Sequence, residues 1–187
     1  MINHTNNSIA ILILDFLKIA ANLKTIPRQG WVEKISIKDP ESVADHTYSM
    51  AIMGMILSDS QQYNTEKILK MILLHDLAES IIGDFTPEQK SKKEKIILEN
   101  KTFEKILMNL PKNLQQQYFH LWNEYQTNDS KEANLVHQID KLEMALQAKI
   151  YSKQNKSYKD FLPFFETAKK EIKDPNLLKL FKQIFDK

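Results

Sequence analysis

The stretch from Asn64 to Asp84, NTEKILKMILLHDLAESIIGD, decides the fold. Ile68, Leu69, Met71, Ile72, Leu73 and Leu74 recur at helical spacing, with no glycine or proline before Gly83. The pattern predicts a helix capped by Asn64 or Thr65, running to about Ile82 and ended by Gly83. His75 and Asp76 stand side by side at the end of the apolar run. Burying an uncompensated charge is expensive, so this pair calls for a partner. Glu79 lies four residues after His75 and three after Asp76, on the same helical face.

Outward from this segment the pattern repeats. Helices are expected at about 8–23, with Ile9, Leu12, Ile13, Phe16, Leu17 and Ala20 on one side, and at about 41–62, with Glu41 or Ser42 near the cap. Others follow at about 91–110, from Pro111 to about 126, and at 130–153. Two shorter ones, 158–172 and 176–185, are separated by Asp174-Pro175. Between the first two lies a loop, Lys24 to Pro40, with a short extended piece around Trp31 to Ile37; a second loop runs from Asp84 to Gln89. Three glycines and six prolines leave little room for the turns of an all-β fold, so the class is all-α. The lysine-rich patch Lys90 to Lys95 reads as a solvated helix start, with a lid facing an anionic substrate as the alternative. Trp122 and Tyr125 read as core aromatics, and Phe161, Phe164, Phe165, Phe181 and Phe185 as helix-docking residues.

The chain has 187 residues and a mass of 21.9 kDa, the size of one domain with a small helical appendage. No cysteine is present, which excludes disulfides, thiolate zinc sites, iron–sulfur clusters and a cysteine nucleophile. No run reaches the roughly 18 apolar residues that span a bilayer. The apolar run Ile9 to Leu14 lacks the flanks of a signal peptide, so the expected address is cytoplasmic. A net charge of +2 implies no general attraction to nucleic acid or membrane. Among 26 basic residues only one, Arg28, is arginine. A lone arginine in a lysine-rich chain points to planar, bidentate recognition of phosphate or carboxylate.

Three segments carry chemistry: Glu41 to His46, His75 to Asp84, and the region of Asp140 in Gln-Ile-Asp-Lys-Leu-Glu. Imidazole nitrogen and carboxylate oxygen are standard ligands for Mn, Co, Fe and Zn, and less readily Mg. His46, His75, Asp76 and Asp140 together make a two-His, two-Asp set, which leaves an octahedral ion room for water and a substrate oxygen.

An upstream His, a central His-Asp doublet and a downstream Asp on helices resemble the HD-domain metal-dependent phosphohydrolases. The segments Pro27 to Trp31, Pro40 to His46, His75 to Glu79, Ile82 to Asp84, Leu121 to Tyr125 and Gln138 to Met144 narrow the likeness to the 5′-deoxynucleotidase branch. The resemblance runs from about Asp15 to Ala148. It implies a single HD-domain helical bundle, set over residues 1–187 with a core at about 8–155; the last two helices lie outside the resemblance and make a C-terminal helical extension at 156–187. It implies that His46, His75, Asp76 and Asp140 hold one divalent metal ion, with Mn, Co or Mg ahead of Zn or Fe. Arg28 then orients the substrate phosphate, Trp31 shapes the nucleotide pocket, and Glu79 and Asp84 handle protons or activate water. Asp84, Phe85, Thr86 and Pro87 fall where the family contacts the sugar. The implied substrate is a deoxynucleoside 5′-monophosphate, and the implied assembly a homodimer. Lys38-Asp39 departs from the family pattern without touching the chemistry.

Two other readings stand beside this one. Some HD enzymes, phosphodiesterases among them, hold two metals through extra histidines, and His120 and His137 are spare; His137 shares a helical face with Asp140. A non-catalytic nucleotide-binding module would keep the fold, but the full set of ligands with Glu79 and Asp84 argues against it.

Overall fold

The computed structural model describes residues 2–154 and 157–185, with side chains from residue 9 onward. Residues 1, 155, 156, 186 and 187 of the expected 1–187 domain lie outside the described residues. Among the described residues the fold is all-α: α1 (Ile2–Asn22), α2 (Gln29–Ile35), α3 (Val43–Gln61), α4 (Thr65–His75), α5 (Glu79–Ile82), α6 (Lys92–Leu107), α7 (Lys112–Thr127), α8 (Lys131–Ser152), α9 (Tyr158–Glu171) and α10 (Pro175–Gln183). A 3-10 turn, Leu23–Thr25, follows α1. No described residue lies in a strand; one isolated bridge joins Pro27 and Ser42. None of the described helices is long and apolar enough to cross a membrane.

Side-chain caps fix the starts of five of the ten described helices. Ser42 and Asp45 form a capping box on α3, and Ser91 and Glu94 form one on α6. Asn64, Ser130 and Asp174 each accept a backbone N–H at the start of α4, α8 and α10. Gly83 ends α5 at φ +79°, where a Cβ would be strained.

Two expectations are corrected. The segment around Trp31 to Ile37 is helical over Gln29–Ile35, not extended. Trp31 and Ile35, one helical turn apart, are both buried on the same side. The helix expected to run from Asn64 to Ile82 breaks after His75. Asp76 sits at φ −110°, ψ 12°, and Leu77 and Glu79 donate to carbonyls three residues back, those of Leu74 and Asp76. The break gives Glu79 a helix turn of its own. In addition, α1 starts upstream of the expected Ser8.

Helix α8 lies at the centre, packed against α3, α4, α7, α9 and α10. It buries Leu135, Val136, Ile139 and Leu142. Phe161 and Phe165 dock α9, Phe181 helps dock α10, and Phe103 stacks on Trp122 between α6 and α7 at 4.1 Å. Trp122 and Tyr125 are core residues, and Phe161, Phe165 and Phe181 dock their helices, as expected.

The crossing of α3 and α4 is close because of Gly54. A Cβ there would stand 2.5 Å from Ile72 Cδ1 and 3.1 Å from Ile68 Cγ2. Both isoleucines are fully buried and have little room to retreat. Gly54→Val should cost about 2 kcal/mol by overpacking, which lowers Tm by roughly 4–8 °C in a chain of this size. Thermal unfolding checks this, and an unchanged Tm would show that the crossing is looser than drawn.

Candidate active site and metal centre

His46 comes from the first turns of α3, His75 and Asp76 from the end of α4, and Asp140 from the middle of α8. The α3–α4–α8 packing brings them together. His75 Nε2 lies 3.0 Å from Asp76 Oδ2, and His46 Nε2 lies 3.3 Å from Asp140 Oδ1. Neither Nε2 atom has a hydrogen-bond partner, although both are buried. Donors bonded to one ion at about 2.1 Å and at right angles sit about 3 Å apart. Close approach without hydrogen-bond geometry is what ligands of a shared cation show. The ligand atoms of His46, His75 and Asp76 all lie within 4.8 Å of one another.

The other ring nitrogens are already engaged. His75 Nδ1–H donates to the Ile72 carbonyl at 2.6 Å, which can only accept, and this turns Nε2 towards Asp76. His46 Nδ1 faces the Glu143 carboxylate at 2.5 Å. Such outer partners orient a histidine for a metal. Two buried, partnerless nitrogens and two adjacent carboxylates fit a divalent cation.

Burial and Arg28 oppose a proton on His46, but the nearby carboxylates of Asp140 and Glu143 outweigh them and raise its pKa to about 9. A cation at His46 must displace that proton. Apparent metal affinity should therefore rise about tenfold per pH unit up to about pH 9 and then level off. Calorimetric metal titration of chelator-stripped protein at several pH values reads this slope; a flat response would refute it.

Arg28 precedes α2, and its Nη1 reaches Asp76 Oδ2 at 3.5 Å. Burial works against its charge, and Asp84, Asp76, Asp140 and Glu79 outweigh burial. Asp84 accepts the Gln29 N–H at 2.9 Å, tying the α5–α6 loop to the start of α2. Glu79 is fully buried: Oε1 accepts from Lys95 Nζ at 2.9 Å, and Oε2 has no hydrogen-bond partner. Burial, then Asp76 and Asp84, push its pKa well above the usual carboxylate range against the pull of Lys95.

Trp31 is only 2% exposed. Its indole stacks on Phe164 at 4.5 Å, meets Tyr151 edge-on and donates to Glu41 at 2.8 Å. It therefore backs the site rather than offering a face to a base. Thr86 is also buried; its hydroxyl donates to Glu33 and its N–H to Gln89. Phe85 lies under the Lys90 ammonium, and Pro87 is exposed.

The spare histidines stay out of the cluster. His120 is 82% exposed, near Glu124. His137 stacks on Tyr125, and its Nε2 lies 2.9 Å from the Tyr125 carbonyl.

The model of the HD domain matches residues 20–180. The chain belongs to the HD-domain family. HD domains are metal-dependent, and this one carries a possible metal site in His46, His75 and Asp76. The human protein named 5′-deoxynucleotidase HDDC2 is 35% identical over 173 residues, covering 92% of this chain and 84% of that one. The Dictyostelium discoideum protein of the same name is 40% identical over 182 residues, covering 91% and 93%. Among solved structures, the PH0347 protein from Pyrococcus horikoshii superposes with a TM-score of 0.76 at 31% identity, covering 91% of this chain and 97% of that one.

The HD-domain match extends through α9 and into α10, beyond the Ala148 limit of the motifs read from sequence. Within this HD domain, sequence reasoning missed two residues beside the site. Glu143 was legible in principle, being three residues from Asp140 on one helical face. Lys95 was read with its neighbours as solvated. Lys92 and Lys93 are exposed, but Lys95 turns inward to Glu79, Asp84 and Glu99.

Proposed function

We propose that this HD-domain protein is a metal-dependent 5′-deoxynucleotidase, converting deoxyribonucleoside 5′-monophosphates to deoxynucleoside and phosphate. The observation that carries the reading is the pair of buried, partnerless Nε2 atoms of His46 and His75, beside two carboxylates and one arginine. The names and high coverage of the relatives support the substrate class.

In this reading His46, His75, Asp76 and Asp140 hold one divalent cation; Mn, Co and Mg suit the set, with Zn and Fe also accepted. When bound, the ion supplies Lewis-acid charge to the phosphoryl oxygens and acidifies water. Arg28 binds the phosphoryl oxygens, exchanging its contact with Asp76 for the substrate. Glu79 holds or moves a proton at Oε2. Asp84 fixes the start of α2, and hence Arg28, and is the second carboxylate available for proton handling. The backbone from Asp84 through Phe85, Thr86 and Pro87 lines the sugar side. Trp31 shapes the pocket from behind by holding α2.

The chain acts as a homodimer in this reading. Tyr48, Ile52, Met55 and Ile56 form an exposed apolar stripe on α3, which supports a second copy. Sedimentation at twice 21.9 kDa tests it. A cytoplasmic setting goes with the substrate class.

The deciding experiment is phosphate release from chelator-stripped protein with Mn, Co, Mg or Zn added. All four deoxynucleoside 5′-monophosphates, their ribose equivalents and a cyclic dinucleotide form the panel. Release from the deoxy compounds supports the assignment. Activity on the cyclic compound alone replaces it with a phosphodiesterase, and silence leaves a metal-binding module.

A further inference from the structure

Lys95 stands one turn into α6, where its ammonium meets three carboxylates. It lies 2.9 Å from Glu79 Oε1, 3.5 Å from Glu99 Oε1 and 3.7 Å from Asp84 Oδ1. Glu99 is one helical turn further on and steers the lysine stem. Glu79 has no solvent exposure, and Lys95 is the only side chain given to it by a hydrogen bond among the described residues. A buried carboxylate stripped of its one cationic partner must take up a proton or swing away. The two oxygens of Glu79 are thereby made unlike: one is fastened, the other is buried and unbonded.

We propose that Lys95 is a positioning residue of the active site, fastening Glu79 through Oε1 and steadying Asp84 so that Glu79 Oε2 is held for proton transfer. The inference rests on the phosphohydrolase reading above. Lys95 touches neither the metal ligands nor Arg28 by any ion pair of the structure, so its action runs through Glu79 and Asp84. Glu99, whose pKa burial raises to about 7 against the pull of Lys95, is the anchor on the far side of the ammonium.

The test compares Lys95→Met, which keeps length and removes charge, with Lys95→Arg, Lys95→Gln and the Glu79→Gln background. A misplaced proton-transfer group should cost about 30- to 100-fold in kcat, with KM and metal affinity within about threefold of wild type. Lys95→Arg should restore much of the loss. In the Glu79→Gln background the Lys95→Met change should cost less than about threefold, because its effect passes through Glu79. A purely structural lysine would instead lower Tm and add its full cost in both backgrounds. If Lys95→Met does not fold, Lys95→Gln carries the same comparison. Turnover of Lys95→Met equal to an active wild type overturns the role of Lys95 alone. A wild type silent on every deoxynucleoside 5′-monophosphate overturns both the role and the reading beneath it.

Discussion

Asp76→Asn should bind its divalent ion at least about 100-fold more weakly and lose turnover by about a thousandfold or more. The substitution keeps the shape of the side chain and removes its charge. Asp76 Oδ2 is the atom on which His75 Nε2 and Arg28 Nη1 converge, at 3.0 and 3.5 Å. Burial pushes the Asp76 carboxyl up, but His75, Arg28 and His46 outweigh it and hold it well below the usual range. The residue is therefore an anion at every pH where the enzyme would work. An amide at this place offers the ion a weaker ligand and removes the ion-pair partner of Arg28. Metal content by elemental analysis and phosphate release on the same sample read the two effects together. Full metal occupancy in the variant would remove Asp76 from the ligand set.

Arg28→Lys should lower kcat/KM by about 100-fold while leaving metal content unchanged. The chain uses lysine at every other basic position, so this one position measures what the guanidinium adds. The backbone of Arg28 is pinned from both sides: its N–H donates to the Glu41 carbonyl, and its carbonyl accepts from the Trp31 N–H. The side chain thus starts from a fixed point beside Asp76. Lysine keeps the charge but loses the planar fork that grips two phosphoryl oxygens at once. Steady-state kinetics on the preferred deoxynucleotide check this, with metal content measured in parallel. Near-normal kinetics would reduce Arg28 to a counter-charge for Asp76.

Much of the helical framework was legible because it rests on local rules. Ser42, Asn64, Ser91, Ser130 and Asp174 cap helices whose apolar residues repeat at three and four. The ligand candidates were legible as residue types and spacings; the fold groups His46, His75 and Asp76, with Asp140 beside His46. What escaped depends on partners distant in sequence. The break at Asp76 has no glycine or proline to announce it; it occurs where a carboxylate is held by Arg28. Helix α2 is a short segment fastened at its start by Asp84 and at its back by Phe164. Lys95 belongs to a lysine cluster on composition, and only the positions of Glu79, Asp84 and Glu99 turn it inward.

The stacking of Trp31 on Phe164 also has a meaning in time. Arg28 is made well before the wall behind its helix, Tyr151 and Phe164. A nascent chain carries Arg28 and its nearer anchors, Glu41 and Asp84, before this wall exists. In the function proposed above, a chain cut before Phe164 would lack this wall behind Trp31 and would recognise phosphate less well.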